Sequence, residues 1–205
     1  MNNNSIKPSP LVQNFSNNTP TGKALEIGFG YGDNAIFLAQ QGFSVVAVDI
    51  NKEMVENLKE RSMQYAVDLE IIKNDIRNFL IKDNEYTFIS ALNCLNFLSK
   101  EEFFNIMEKI KNGLKNDGVC VIALFTVDDE MCEEVSRKTN GKFDDDNGKK
   151  WFFLKSGELK ELFENDFLIL FYKEVIIDDN GHVGKELPHR HAVARIVAKK
   201  RSAIV

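Results

Sequence analysis

The chain has 205 residues, 43% of them hydrophobic and 28% charged, the proportions of a globular protein rather than a fibrous or disordered one. A net charge of −5, from 26 basic and 31 acidic residues, disfavours phosphate backbones and anionic lipid surfaces as partners. The three cysteines, Cys94, Cys120 and Cys132, are odd in number and widely spaced, which excludes a disulfide framework and a cysteine zinc site. The longest apolar run, 119–127, stops at nine residues, half of the roughly 18 that a spanning helix needs. Met1-Asn-Asn-Asn-Ser5 has no charged segment leading into an apolar one, so no signal peptide is read. A single-domain cytoplasmic protein is expected, monomer or homodimer, with no membrane or nucleic-acid partner.

Residues 1–20 hold three of the four prolines and six asparagines; they are expected as a flexible leader or flap. Residues 21–205 then alternate strand and helix. Strands are predicted at 23–27, 43–49, 69–72, 86–92 and 119–125, each an apolar or β-branched run bounded by turn residues. Helices are predicted at 33–41, closed by Gly42, and at 52–63, capped by Asn51. A third helix at 100–113 follows a Ser99-x-x-Glu102 capping box. Residues 126–153 carry acidic runs at 128–130 and 144–146 without sustained periodicity, as in an insertion or lid. The acidic runs are expected as solvated loop. A helix from Ser156 to about Glu164 precedes two strands, 167–177 and 192–198, with turn chemistry at Asp178-Asp-Asn-Gly181 between them. The alternation implies a mostly parallel sheet covered on both faces, ending in an antiparallel hairpin.

In such sheets ligands bind beyond the carboxyl ends of the strands. Strand one ends in Glu26-Ile-Gly28-Phe-Gly30-Tyr-Gly32 at a helix start, where close backbone approach and the helix dipole are available. Asp49 ends strand two, 21 residues after Gly28, the separation that brings a carboxylate to ribose hydroxyls. Asp75 follows strand three, where it can accept from an adenine amino group. The glycine spacing departs from the G-x-G-x-x-G of nicotinamide enzymes. Glu26 would oppose a pyrophosphate but suits the ammonium of an amino-acid moiety. A ligand with adenosine, an amino acid and no phosphate is S-adenosylmethionine.

These segments resemble the successive motifs of class I S-adenosylmethionine-dependent methyltransferases over residues 21–125, and the terminal strands more loosely. The resemblance implies a Rossmann-like seven-stranded sheet of order 3-2-1-4-5-7-6 with strand 7 antiparallel. It implies Gly28, Gly30 and Gly32 around the methionine part with Glu26 nearby, Asp49 at the ribose, and Asp75 with Ile76 at adenine. Ile50, Ala91 and Leu92 complete the expected cofactor set. Within the superfamily, residues 28–39, 88–98, 152–159 and 189–195 look like the tellurite-resistance (TehB-like) branch. Asp33 stands where many relatives carry arginine, which weakens any anion contact carried over from that position.

The acceptor is less legible. His189 and His191 share a strand face while Arg190 points oppositely. They read either as a base or anion contact with an Arg190 or Arg195 clamp, or as solvated edge residues. No metal site is expected, because the histidines lack the spacing and carboxylate company of one. Cys94 reads as a small buried hydrophobe. Trp151 to Phe153 read as an aromatic wall with Phe15, or as core where the lid ends. Strand four is followed by neither an Asn/Asp-Pro-Pro-aromatic loop nor a proline-cysteine pair, against nucleic-acid methylation. A small-molecule acceptor is expected, with tellurite, selenite or a thiol ahead of a quinone-like metabolite. The alternative from another class is a non-catalytic S-adenosylmethionine-binding protein.

Overall fold

The computed structural model describes residues 5–144, 147–179 and 187–202. Its seven strands are β1 (Lys23–Ile27), β2 (Ser44–Asp49), β3 (Leu69–Lys73), β4 (Tyr86–Leu92), β5 (Leu114–Phe125), β6 (Phe167–Asp179) and β7 (His189–Lys200). They form one sheet in the order β3-β2-β1-β4-β5-β7-β6. β1 to β5 pair in parallel, and β7 runs antiparallel to both β5 and β6. Fold class, strand order and the terminal hairpin are as expected.

The strand pleat divides the core into two layers. Leu25 and Ile27 of β1 face Met107 and Ile110 of α4 (Lys100–Gly113). Ala24 faces the other layer, with Ala35 and Ile36 of α2 (Asp33–Gln40) and Leu58 of α3 (Lys52–Gln64). The helix starts are set by their caps. Asn51 Oδ1 accepts from Glu53 N at 2.9 Å, and both halves of the Ser99–Glu102 capping box are formed. Each such cap contributes about 1 kcal/mol.

Four segments differ from expectation. Within 126–153, α5 (Glu130–Lys138) forms although the sequence shows no clear period. Only Cys132 and Val135 are buried on it, so its apolar stripe is too thin to read. Asp129, expected in solvated loop, is 2% exposed and caps α5. Within the leader, α1 (Pro10–Ser16) forms and begins with proline, whose fixed φ suits a first helical turn. Val12 is fully buried, and Leu11 and Phe15 pack on the same layer. Three apolar residues sufficed because the sheet supplied the surface they needed. Finally, the terminal hairpin is longer than read, pairing as far as Asp179 with His189, and α6 is only Glu158–Glu161.

Candidate active site

Strand order reverses between β1 and β4, whose carboxyl ends open on a cleft of about 560 Å3. Gly28 turns the chain out of β1 with φ +63°, and a Cβ there would lie 2.4 Å from Cys94 Cβ. Only glycine fits. Gly32 precedes α2 with φ +80°, and a Cβ would lie 2.3 Å from Leu58 Cδ1. The loop therefore hugs the sheet, and Gly30 N donates to Asp49 Oδ2 at 3.1 Å. Asp49 Oδ1 accepts from Asn51 N at 2.8 Å. One carboxylate thus couples the glycine loop to the start of α3 and lines the cleft with Ile50 and Asn51.

Glu26 lies beneath this loop, 2% exposed. Its oxygens accept from Asn34 Nδ2 at 2.9 Å and from Ser90 Oγ. Burial raises its pKa to about 7, opposed by those two hydrogen bonds. Asn34 Oδ1 in turn accepts from Ser9 N at 2.8 Å, so the amide of Asn34 ties the leader to the buried carboxyl.

At the far end, Asp75 accepts from Arg77 Nε at 2.9 Å and from Arg77 N at 2.9 Å. The Arg77 guanidinium holds its carboxyl below the usual range and also reaches Glu102 at 3.3 Å. Arg77 is a site residue the sequence reading missed; its signal was an Asp-x-Arg step. Ile76 and Leu92 line the cleft, whereas Ala91, expected beside them, is fully buried in the core. The pleat turns it inward. Cys94 donates to Ile27 O at 3.2 Å, and burial pushes its thiol well up. That is a packed, unreactive sulfur. Asp33 is held by Arg61 Nη2 at 2.6 Å.

A second cavity, about 510 Å3, adjoins the first. Its wall includes Val127, Cys132, Phe143, Trp151 and Phe152, with Lys142 and Lys150. Phe97, Leu98 and Lys149 line the first cavity, and their chain neighbours Ser99, Lys150 and Trp151 line the second. Lys149 Nζ sits 5.3 Å from the Phe97 ring and 5.0 Å from the Trp151 ring, within cation–π range. Phe15 is elsewhere, packed 6.4 Å from Phe171; it takes no part in that aromatic wall.

Asn96, 1% exposed, ties residues 125 and 152, at the two ends of the 126–153 segment, together. Its amide donates to Phe125 O and Phe152 O at 2.9 and 2.8 Å and accepts from Phe125 N at 2.9 Å. Phe125 stacks on His191 at 4.7 Å. His191 Nδ1 lies 3.0 Å from Asp129 Oδ2, and its Nε2 lies 2.9 Å from His189 Nε2. His189 is 6% exposed, so neither histidine is a solvated edge residue. Arg190, expected with them, has a side chain 64% exposed and 3.5 Å from Glu130; it lies on the opposite strand face. Asp129 was missed because its role needs β7. His182 lies outside the described residues.

Residues 24–118 match the family profile described as a methyltransferase domain. A carboxy-S-adenosyl-L-methionine synthase of Vibrio vulnificus is 32% identical over 115 residues, 54% of this chain and 46% of that protein. The probable S-adenosyl-L-methionine-dependent methyltransferase TehB of Haemophilus influenzae is 27% identical over 111 residues, 54% of this chain and 38% of that one. The matched segment thus spans less than half the length of either relative. The crystal structure of the Haemophilus influenzae TehB superposes with a TM-score of 0.76 at 20% identity, covering 97% of this chain and 64% of that one. A Burkholderia thailandensis 1,6-didemethyltoxoflavin-N1-methyltransferase, with 1,6-didemethyltoxoflavin and S-adenosylhomocysteine bound, superposes at 0.65 and 14% identity over 94% of this chain and 79% of that one.

Proposed function

We propose that this chain, whose residues 24–118 match a methyltransferase-domain profile on a seven-stranded sheet of order 3-2-1-4-5-7-6, is an enzyme that transfers a methyl group from S-adenosylmethionine to a small-molecule acceptor. The observation that carries this reading is Asp49. A carboxylate at the end of β2, bonded to the Gly30 amide and facing a cleft at the strand-order switch, is an acceptor for two ribose hydroxyls. The methionine part then lies along the glycine loop above Glu26 and Asn34, and adenine lies between Ile50 and Ile76 with its amino group at Asp75. Arg77 N, Nε and Nη2 take three of the four acceptor sites of Asp75, which leaves one for that bond.

Methyl transfer from a sulfonium is an in-line displacement from an activated donor, so positioning supplies much of the rate. The second cavity is the proposed acceptor pocket. Aromatic walls with Lys142 and Lys150 suit an acceptor with an apolar body and an anionic group, such as an organic thiolate. A bare tellurite or selenite ion leaves those walls unused. His189 and His191 are proposed as acceptor-side groups that reach the pocket through Phe125 and Asn96. Arg190, turned away, is not.

The test is a panel of small thiols, oxyanions and phenolic acids with labelled S-adenosylmethionine, read by mass spectrometry. Release of S-adenosylhomocysteine with a methylated acceptor supports the proposal. Cofactor binding without turnover on any acceptor marks a binding module. The Vibrio vulnificus likeness favours one second reading, carboxylation of the cofactor itself; a carboxylated cofactor in the same spectrum identifies it.

A further inference from the structure

The hydrogen bonds around His189 and His191 fix how the two rings are protonated. His189 Nδ1 lies 2.9 Å from Leu187 O, a carbonyl that can only accept, so Nδ1 carries the hydrogen. Asp129 Oδ1 accepts from Met131 N, and Oδ2 accepts from Ala192 N and faces His191 Nδ1. A carboxylate already receiving two amides takes a third donor, so His191 Nδ1 also carries its hydrogen. Each ring then presents the lone pair of Nε2, and the two Nε2 atoms face each other at 2.9 Å. Two lone pairs at that distance repel unless a positive charge lies between them.

A third ligand converges on the same point. β6 and β7 pair so that Asp179 stands directly across from His189. One ligand atom from each of Asp179, His189 and His191 lies within 4.8 Å of the others.

The geometry also limits the coordination. Nitrogens each about 2.1 Å from one ion and 2.9 Å apart subtend close to 90°. A tetrahedral ion would spread them to about 3.4 Å. Five- or six-coordinate binding, with positions left for water or an anion, matches the observed spacing. Imidazole nitrogens with one carboxylate select zinc-like first-row ions over calcium or magnesium. The carbonyl of Leu187 and the carboxylate of Asp129 hold the rings from behind, as the outer partners of metal-ligating histidines do.

We propose that His189, His191 and Asp179 form a binding site for a divalent first-row transition-metal ion, with Asp129 as the residue that positions His191. The absence of a metal motif in the sequence is no obstacle, because the carboxylate comes from across the sheet rather than from a neighbouring position. On the methyltransferase reading, which the site itself does not require, the metal stands on the acceptor side and its open positions take water or a small anion.

Calorimetry of the full chain with zinc alone tests this, together with the electronic spectrum of the cobalt-loaded protein. One equivalent of zinc is expected to bind. His189→Ala and Asp179→Ala should each weaken it at least about tenfold, and Asp129→Asn about 10- to 100-fold. Circular dichroism of the metal-free variants checks folding; should His189→Ala unfold, His189→Gln replaces it. Cobalt should give weak ligand-field bands without thiolate charge transfer. Substoichiometric binding, equal affinity in the variants, or a thiolate band overturns the proposal. So does a nitrogen-15 spectrum in which the two rings still share a proton at saturating zinc. None of these readouts uses turnover. A chain that binds zinc through these residues yet releases no S-adenosylhomocysteine supports the site and refutes the enzymatic reading.

Discussion

Replacing Glu26 by glutamine tests whether a buried carboxyl sits under the cofactor loop at a chemical cost. The folded pKa is raised from 4.5 to about 7 by burial. A raised acid favours the fold while protonated, so its stabilisation is complete below pH 4.5 and is lost as pH rises through 7. For one site the loss is about 1.36 kcal/mol times the logarithm of (1 + 10^(pH − 4.5))/(1 + 10^(pH − 7)). This gives about 1 kcal/mol at pH 5 and about 3 kcal/mol at pH 8, a fall of about 2 kcal/mol between them. Glutamine keeps the shape, accepts from Asn34 Nδ2 and donates to Ser90 Oγ, but does not titrate. Urea unfolding of the cofactor-free protein and of Glu26→Gln at pH 5 and pH 8 measures the difference, because every other titration is common to both. The gap between the two should shift by about 2 kcal/mol in favour of the variant as pH rises. Profiles that stay parallel within about 0.5 kcal/mol would refute the reasoning. Should the ammonium of the cofactor's amino-acid part sit above Glu26, wild-type affinity for S-adenosylhomocysteine should also rise across pH 7, and the variant's should stay flat.

Asp49→Ala should weaken S-adenosylhomocysteine by about 2–4 kcal/mol in calorimetry, from a lost charge-assisted ribose bond and a loosened Gly30 turn; a change under threefold would remove Asp49 from the site. Gly28→Ala, which sets a methyl 2.4 Å from Cys94 Cβ at positive φ, should abolish cofactor binding, and Cys94→Gly in the same chain should restore part of it. Asn96→Ala breaks three buried bonds to Phe125 and Phe152 and should cost about 2–4 kcal/mol of stability. Limited proteolysis of that variant should open first between residues 126 and 153; unchanged cleavage would show that the lid is held by other means.

The sheet and cofactor cleft were legible in the sequence because their signals are local. The apolar run of β5, the capping box at Ser99 and the glycines of 28–32 act within a few residues of themselves. Asp49 declared itself by ending a strand and Asp75 by following one. Ala91 did not, because a pleat sends one of two adjacent apolar residues into the core, and only the registry of β4 against β1 decides which. The acceptor side depended on distance in the chain. Asp129 looked like one of three solvated acids until β7 brought His191 and the Ala192 amide 62 and 63 residues away onto it. Asp179 reached His189 through antiparallel pairing, and Phe15 went to Phe171 rather than to Trp151 because α1 crosses the opposite layer. The same holds for the leader, whose three apolar residues could bury nothing alone and helped form a helix once a sheet face lay beneath them. Short-range capping, turn and strand preferences are properties of the sequence by itself. The partners of a buried polar group are chosen by the fold, since its desolvation must be compensated by whatever the packed chain brings within reach.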